Sequence, residues 1–375
     1  MTKKPKRIYL TSLQQPDLLG NIAHLPFDPL KNKEVEKLRS YTKIEKIFSK
    51  HETDFVQALK IAKFTSEAWG HDGFNSNPKK QDALTILKLA DKGASFACVQ
   101  FASVFVQLCQ SVGIPARVLN VRTKHPDLGS SGHGHVTAEY FDNQLCKWVW
   151  IDPQIHAYAL NRNTPLSYNE LAELIVTGKN PTIKFTERTL TYIKNNKAHL
   201  KLLKNFVRRY IWSTRIGGLK SFYSKQSHLK NIGCKRNGVQ PAITFQGFAD
   251  KSPTYFQREI FDAPLNACHI QFETKAPRKL VNWKDLQDYK DRAYLNFAKP
   301  EVTMILKNSM PWFESYIVII NGNKKILKTY EITIKLRDGL NTIQVQAMNG
   351  YKRCGPMTTA EIRYDNRYKN VKSYW

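Results

Sequence analysis

Cys98 opens an apolar run, His135 stands in GHVTAEYF, and Asp152 stands in WVWIDP. A thiol, an imidazole and a carboxylate are what attack on an amide carbonyl through sulfur requires. The thiol is the nucleophile, the imidazole takes and returns its proton, and the carboxylate orients the imidazole. Each residue has an ordinary alternative. Most free cysteines on amphipathic helices are small buried hydrophobes, and a lone histidine is often a satisfied core residue. The elements that carry them decide between the readings.

Phe101, Val104, Phe105, Leu108 and Val112 recur at helical spacing, and Gly113 and Pro115 end the run. Ser95 is expected to cap this helix, which puts Cys98 in its first turn. There the helix dipole and unpaired amides favour a thiolate and can donate to an oxyanion. Cys109, in mid-helix, reads as packing. HVTAEYF and KWVWID flank the turn candidate Asp142-Asn143-Gln144-Leu145. A loop symmetric about 143/144 sets Glu139 opposite Trp148 and His135 opposite Asp152, with Cβ atoms about 5 Å apart. His133 shares the strand face of His135, while His71 and His125 have no identifiable partner.

The run GASFACVQFASVFVQLCQSVGIPARVLNV, then GHVTAEYF, then KWVWIDPQ, resembles the transglutaminase-like core of the papain-like cysteine enzymes, over about residues 60–160. The resemblance implies an α+β fold: a papain-like transglutaminase core, in which a helix bearing Cys98 packs on an antiparallel sheet bearing His135 and Asp152. It implies Cys98 as nucleophile, His135 as general base and then acid, and Asp152 as its orienting residue. The acyl-enzyme is then a thioester resolved by water or an amine. Trp69, in AWGHDG, stands where relatives keep an aromatic near the oxyanion. The family's aromatic two places after its histidine is Thr137 here, and its glycine-rich approach to the cysteine is loosened to Gly93-Ala94-Ser95-Phe96-Ala97.

At 375 residues the chain predicts two or three domains. Residues 1–40 read as an irregular leader and 41–178 as the catalytic domain, with a helical stretch from Val35 to Ala68. Residues 179–254 read as a basic, helical connecting segment. Residues 255–366 read as a β-sandwich of immunoglobulin or fibronectin type, with a turn at Asp338-Gly339 between alternating strands, and 367–375 as a tail. Lys and Arg total 58 against 31 acids, a net +27. Residues 179–236 hold fifteen of the cations against Glu187 alone. That stretch is a candidate for binding an anionic polymer or nucleic acid, or is a solvated surface.

Six cysteines without CxxC or metal spacing argue against a disulfide-dense scaffold, and the resemblance, without zinc-binding cysteine pairs, disfavours the peptide N-glycanase subtype. No cofactor or metal is expected. No run reaches the ~18 apolar residues of a membrane span, and the basic N-terminus lacks a signal-peptide apolar stretch, so a cytoplasmic protein is expected. The expected partner is a protein or peptide substrate. The competing reading is a binding or scaffold protein that uses the core for peptide recognition.

Overall fold

The computed structural model describes residues 7–16, 31–72, 78, 81–124, 134–185, 205, 207–211, 213–216, 231–233, 254–256, 262–273 and 300–365. Two compact units divide the chain: residues 1–20 with 266–375, and residues 21–265. The residues expected to form an irregular leader contain strand β1 (Arg7–Gln14) and the start of helix α1 (Lys33–Thr42).

In the unit of residues 21–265, α1 is followed by α2 (Asp54–Glu67), α3 (Ala83–Ala90) and α4 (Cys98–Ser111). The helical stretch expected from Val35 to Ala68 is therefore broken. Lys43 turns into the left-handed region at φ 52, and Thr53 starts a new helix by accepting from the Val56 amide. Strands β2 (Ala116–Arg122), β3 (Gly134–Asp142), β4 (Lys147–Asp152), β5 (Ala157–Asn161) and the short β6 (Thr164–Pro165) come next. Helix α5 (Tyr168–Val176) is closed by a capping box between Ser167 and Glu170. Strands β7 (Thr182–Phe185), β8 (Ser213–Ile216), β9 (Asn231–Gly233) and β10 (Thr254–Phe256) end the series.

One sheet runs β10-β9-β8-β2-β3-β4-β5-β6, with β7 also on β5. Alternation splits its side chains between two cores. Val118, Ala138, Tyr140, Val149 and Ile151 pack with the α1–α4 helices. Leu119, Val121, Phe141, Trp148 and Trp150 pack with Tyr168 and Leu171 of α5. The described parts of the 179–254 stretch are mostly strand, with a helical turn at 207–209, where a helix was expected. The reason is visible at Thr182–Phe185, where Ile183 and Phe185 are buried and Thr182 and Lys184 exposed, a period of two. Most of that basic stretch lies outside the described residues.

The other unit adds β11 (Cys268–Glu273), β12 (Glu301–Asn308), β13 (Phe313–Ile320), β14 (Asn323–Leu327), β15 (Glu331–Lys335), β16 (Gly339–Asn349) and β17 (Thr358–Asp365). They form a sandwich of two sheets, β1-β17-β16-β13-β14 and β11-β12-β15. Both sheets supply one core, with Met304 and Ile334 from the smaller meeting Val318, Val345 and Ile362 from the larger. β1 joins this sheet because Ile8 and Leu10 pair in register with Tyr364 and Ile362 of β17. The Asp338-Gly339 pair does not close a hairpin. β15 pairs with β12 and β16 with β13 and β17, so this turn carries the chain between sheets. Gly339 takes φ +90, and the buried Asn341 side chain accepts from the Arg337 amide at 3.0 Å and donates to its carbonyl at 2.8 Å.

Candidate active site

Helix α4 buries nearly its whole circumference, with Phe101, Phe105 and Leu108 at 0–1% exposure, so its first residue is held rigidly. Each such side chain contributes about 1.5–3 kcal/mol by burial. The expected cap is absent. Ala97 occupies the N-cap position without a side-chain bond, because the preceding chain is extended and pairs sideways. Phe96 bridges His71 in parallel, its amide donating to the Gly70 carbonyl at 3.4 Å and its carbonyl accepting from Asp72 at 2.9 Å. Cys98 thus starts α4 half-buried, with no cap bond from the side chain of the N-cap residue.

The β3–β4 register differs from the symmetric expectation. Asp142 pairs with Lys147, Glu139 with Trp150 and Ala138 with Ile151. The four-residue loop lies one position later than expected, at 143–146: Cys146 adopts φ 54, and Asp142 Oδ1 accepts from the Gln144 and Leu145 amides, both at 2.9 Å. His135 therefore does not face Asp152 directly. The shift is by two positions, so both still point to one face, and they meet on the diagonal. His135 Nε2 lies 2.6 Å from Asp152 Oδ2, with the two residues 5% and 1% exposed. Asp152 Oδ1 accepts from the Gln154 amide at 3.0 Å and the Ile155 amide at 3.3 Å, which fixes the carboxylate plane.

The Cys98 thiol is the other hydrogen-bond partner of the His135 ring. With Nε2 taken by Asp152, Nδ1 is the nitrogen left to sulfur. The Val136 backbone also hydrogen-bonds the sulfur. Burial opposes charge on both groups. For His135 the Asp152 carboxylate overrides it, with the thiol adding to the effect, and pushes the imidazole up to about 10. For Cys98 the hydrogen bond and charge of His135, with the Val136 amide, override burial and hold the thiol below its ordinary value. Both shifts favour a thiolate–imidazolium pair.

Thr137, where the resemblance leads one to expect an aromatic, is buried and bonded twice. Its hydroxyl donates to the Ile151 carbonyl at 3.0 Å and accepts from the Trp150 indole at 2.9 Å. The neighbouring strand thus supplies the bulk that this position lacks. Trp69 is 8% exposed, edge-on to Phe96 at 5.7 Å and tilted against Phe101 at 4.4 Å, and its Nε1 has no hydrogen-bond partner among the described residues.

Two residues near the site carry no site role in the sequence analysis. Tyr210 comes from the basic stretch, is 4% exposed, and lays its ring 5.5 Å from the His135 ring at 42°. Its position follows from Ile211, which bridges Arg122 at the end of β2. The aromatic residues interleaved with cations in that stretch were the available signal. His71 is exposed as a residue but partly covered; that partial burial, and the charge of His135, lower its pKa. His125 and His133 lie outside the described residues. Among the described residues no cluster of His, Cys, Asp and Glu could hold a metal ion, and no helix is long and apolar enough to cross a membrane.

Beneath the site, Arg117 donates from Nε and Nη2 to Glu139 Oε2 at 2.8 and 2.6 Å, with both side chains fully buried. Glu139 Oε1 accepts from the Tyr168 amide at 2.7 Å, and the Arg117 guanidinium lies 3.8 Å from the Trp148 ring centre. Arg117 and Glu139 are cross-strand partners, so this pair locks β2 to β3 and ties both to α5.

A family model described as the transglutaminase-like superfamily matches residues 42–153. A search of curated proteins finds no match. Among solved structures, a candidate cysteine protease from Cytophaga hutchinsonii is 20% identical, with 37% of this chain and 43% of that one covered and a TM-score of 0.28. The chain thus spans less than half the length of that protein. Red sea bream transglutaminase is 10% identical, with 84% and 69% covered and a TM-score of 0.23. Residues 42–153, which carry Cys98, His135 and Asp152, are a transglutaminase-like domain.

Proposed function

We propose that the chain is a transglutaminase-like cysteine enzyme that cleaves or transfers a peptide-type amide bond through a thioester. The observation that carries this reading is the continuous hydrogen-bonded run from the Cys98 thiol through the His135 ring to the Asp152 carboxylate. Sulfur, as the thiolate that the neighbouring His135 favours, attacks the amide carbon. The oxyanion is met by the Cys98 amide at the first position of α4 and by the Trp69 indole N–H, a buried donor that no acceptor among the described residues satisfies. His135 gives its proton to the departing amine, leaving the acyl group on sulfur. Water or an amine then attacks the thioester while His135 takes its proton. Asp152 holds the ring and stabilises its cationic form throughout.

The substrate class is a protein or peptide, by the same reasoning that makes an amide the electrophile. The C-terminal sandwich fits the immunoglobulin or fibronectin type by strand order, since the three-stranded sheet takes the first, second and fifth of β11–β17. The test is mass spectrometry of a peptide library incubated with and without an added primary amine. Loss of mass at an amide, deamidation or amine addition is expected, and Cys98→Ala should abolish whichever occurs. A library unchanged by the wild-type protein would overturn the reading.

A further inference from the structure

We propose that the far end of the β4–β5 pair holds a second site, which binds an organic phosphate monoester. A cavity of about 560 Å³ opens there, within the size range of small-molecule sites. β4 runs from Lys147 at this cavity to Asp152 at the candidate active site. Five residue steps along a strand separate the two by about 17 Å, so the cavity is distinct from the Cys98 site.

Its charge is uncompensated. Lys147, Arg162 and Lys179 line it against one acid, Glu170. Glu170 is already committed, because its Oε2 accepts from the Lys147 ammonium and from the Ser167 amide at 2.8 Å in the capping box of α5. That leaves Arg162 and Lys179, which have no carboxylate partner among the described residues. Arg208 adds a third cation near the rim, donating from Nη2 to the Asn180 side-chain oxygen at 2.9 Å. Pro181 and Leu166 are buried in the wall, with Leu174 half-buried beside them, so one part of the cavity is apolar.

Two free cations and an apolar wall match a dianionic head on a carbon skeleton. The planar fork of an arginine suits phosphate oxygens bidentately, and the lysine supplies a point charge. A carboxylate, with one charge, leaves one of the two cations unmatched.

The test is isothermal titration of the full-length protein with phenyl phosphate at fixed ionic strength. Saturable one-to-one binding is expected. It should weaken at least tenfold in the R162Q/K179Q variant, since bonds to charged groups are each worth on the order of tenfold or more. A control variant, K324Q/K325Q, removes two exposed cations from β14 and should bind like wild type. Diphenyl phosphate, singly charged, should bind at least tenfold more weakly than phenyl phosphate. Absence of saturation, equal loss in both double variants, unchanged affinity in R162Q/K179Q, or equal affinity for the two phosphates would each overturn the proposal. All four substituted side chains are exposed, so the variants keep the fold.

Discussion

His135 and Asp152 are hydrogen-bonded at 2.6 Å although they are not cross-strand partners. The bond is diagonal, between residues two positions out of register on one face of the β3–β4 pair. It survives because the Gln154 and Ile155 amides hold the other carboxylate oxygen and leave Oδ2 aimed at the ring. Replacing Asp152 by Asn keeps the shape but removes the charge and the acceptor that select the ring tautomer. Turnover is expected to fall by about 10³–10⁴-fold. In proton NMR the His135 titration should move down from about 10 toward the ordinary imidazole value. An unmoved titration would show that the carboxylate does not hold the ring charged.

Tyr210 covers the imidazole with its ring face. A cationic ring 5.5 Å from an aromatic gains about 0.5–2 kcal/mol, more when water is excluded. Tyr210→Phe keeps that face and should leave kcat within about twofold. Tyr210→Ala should lower kcat by about three- to thirtyfold and bring the alkaline limb of the rate profile to lower pH. Equal effects of the two substitutions would assign the role to the hydroxyl instead.

Glu139 is buried against Arg117, and removing either partner strands a charge. Glu139→Ala is expected to destabilise the fold by about 3–5 kcal/mol in urea denaturation. A loss below about 1 kcal/mol would mean that the pair is not the lock between β2 and β3.

His156 closes the turn that follows Asp152. It is 2% exposed, takes φ 47, and shares a 3.1 Å hydrogen bond between Nε2 and the Leu59 carbonyl. Burial drives its pKa down to about 4. The unfolded chain then binds a proton that the folded one does not between about pH 6.5 and 4, so stability falls as pH drops through that window. A shift of that size corresponds to about 3 kcal/mol at the acid end. Denaturation at pH 7 and pH 4 should show this extra loss in wild type and not in His156→Gln. Parallel losses in both proteins would place the acid sensitivity elsewhere.

The grouping of Cys98, His135 and Asp152 was legible because it rests on strong periodicities. The apolar face of α4 and the alternation of β3 and β4 are visible in residue types alone, and they fix which residues share a face. The register was two positions out because it depends on Cys146 taking φ 54 and on Asp142 gripping two amides, neither of which a residue type announces. The same limit hid the fate of Asp338-Gly339. Its flanking alternation suits a hairpin, yet β15 and β16 bury their apolar faces from opposite sheets of the sandwich. Tyr210 was hidden by its surroundings. A stretch dominated by cations reads as a solvated face, and only the burial of Val207, Tyr210 and Ile211 shows that this turn is anchored in the core.

The central claim is that His135 makes Cys98 a thiolate, and alkylation measures it most directly. Iodoacetamide at neutral pH, followed by peptide mass spectrometry, gives the rate at each cysteine. Cys109 and Cys268 are buried, Cys268 with its thiol pushed up to about 12, and burial also raises Cys146 and Cys354. Cys98 should therefore be modified at least tenfold faster than any of these, and His135→Ala should erase that lead. Equal rates across the cysteines, or a Cys98 rate indifferent to His135, would contradict the account.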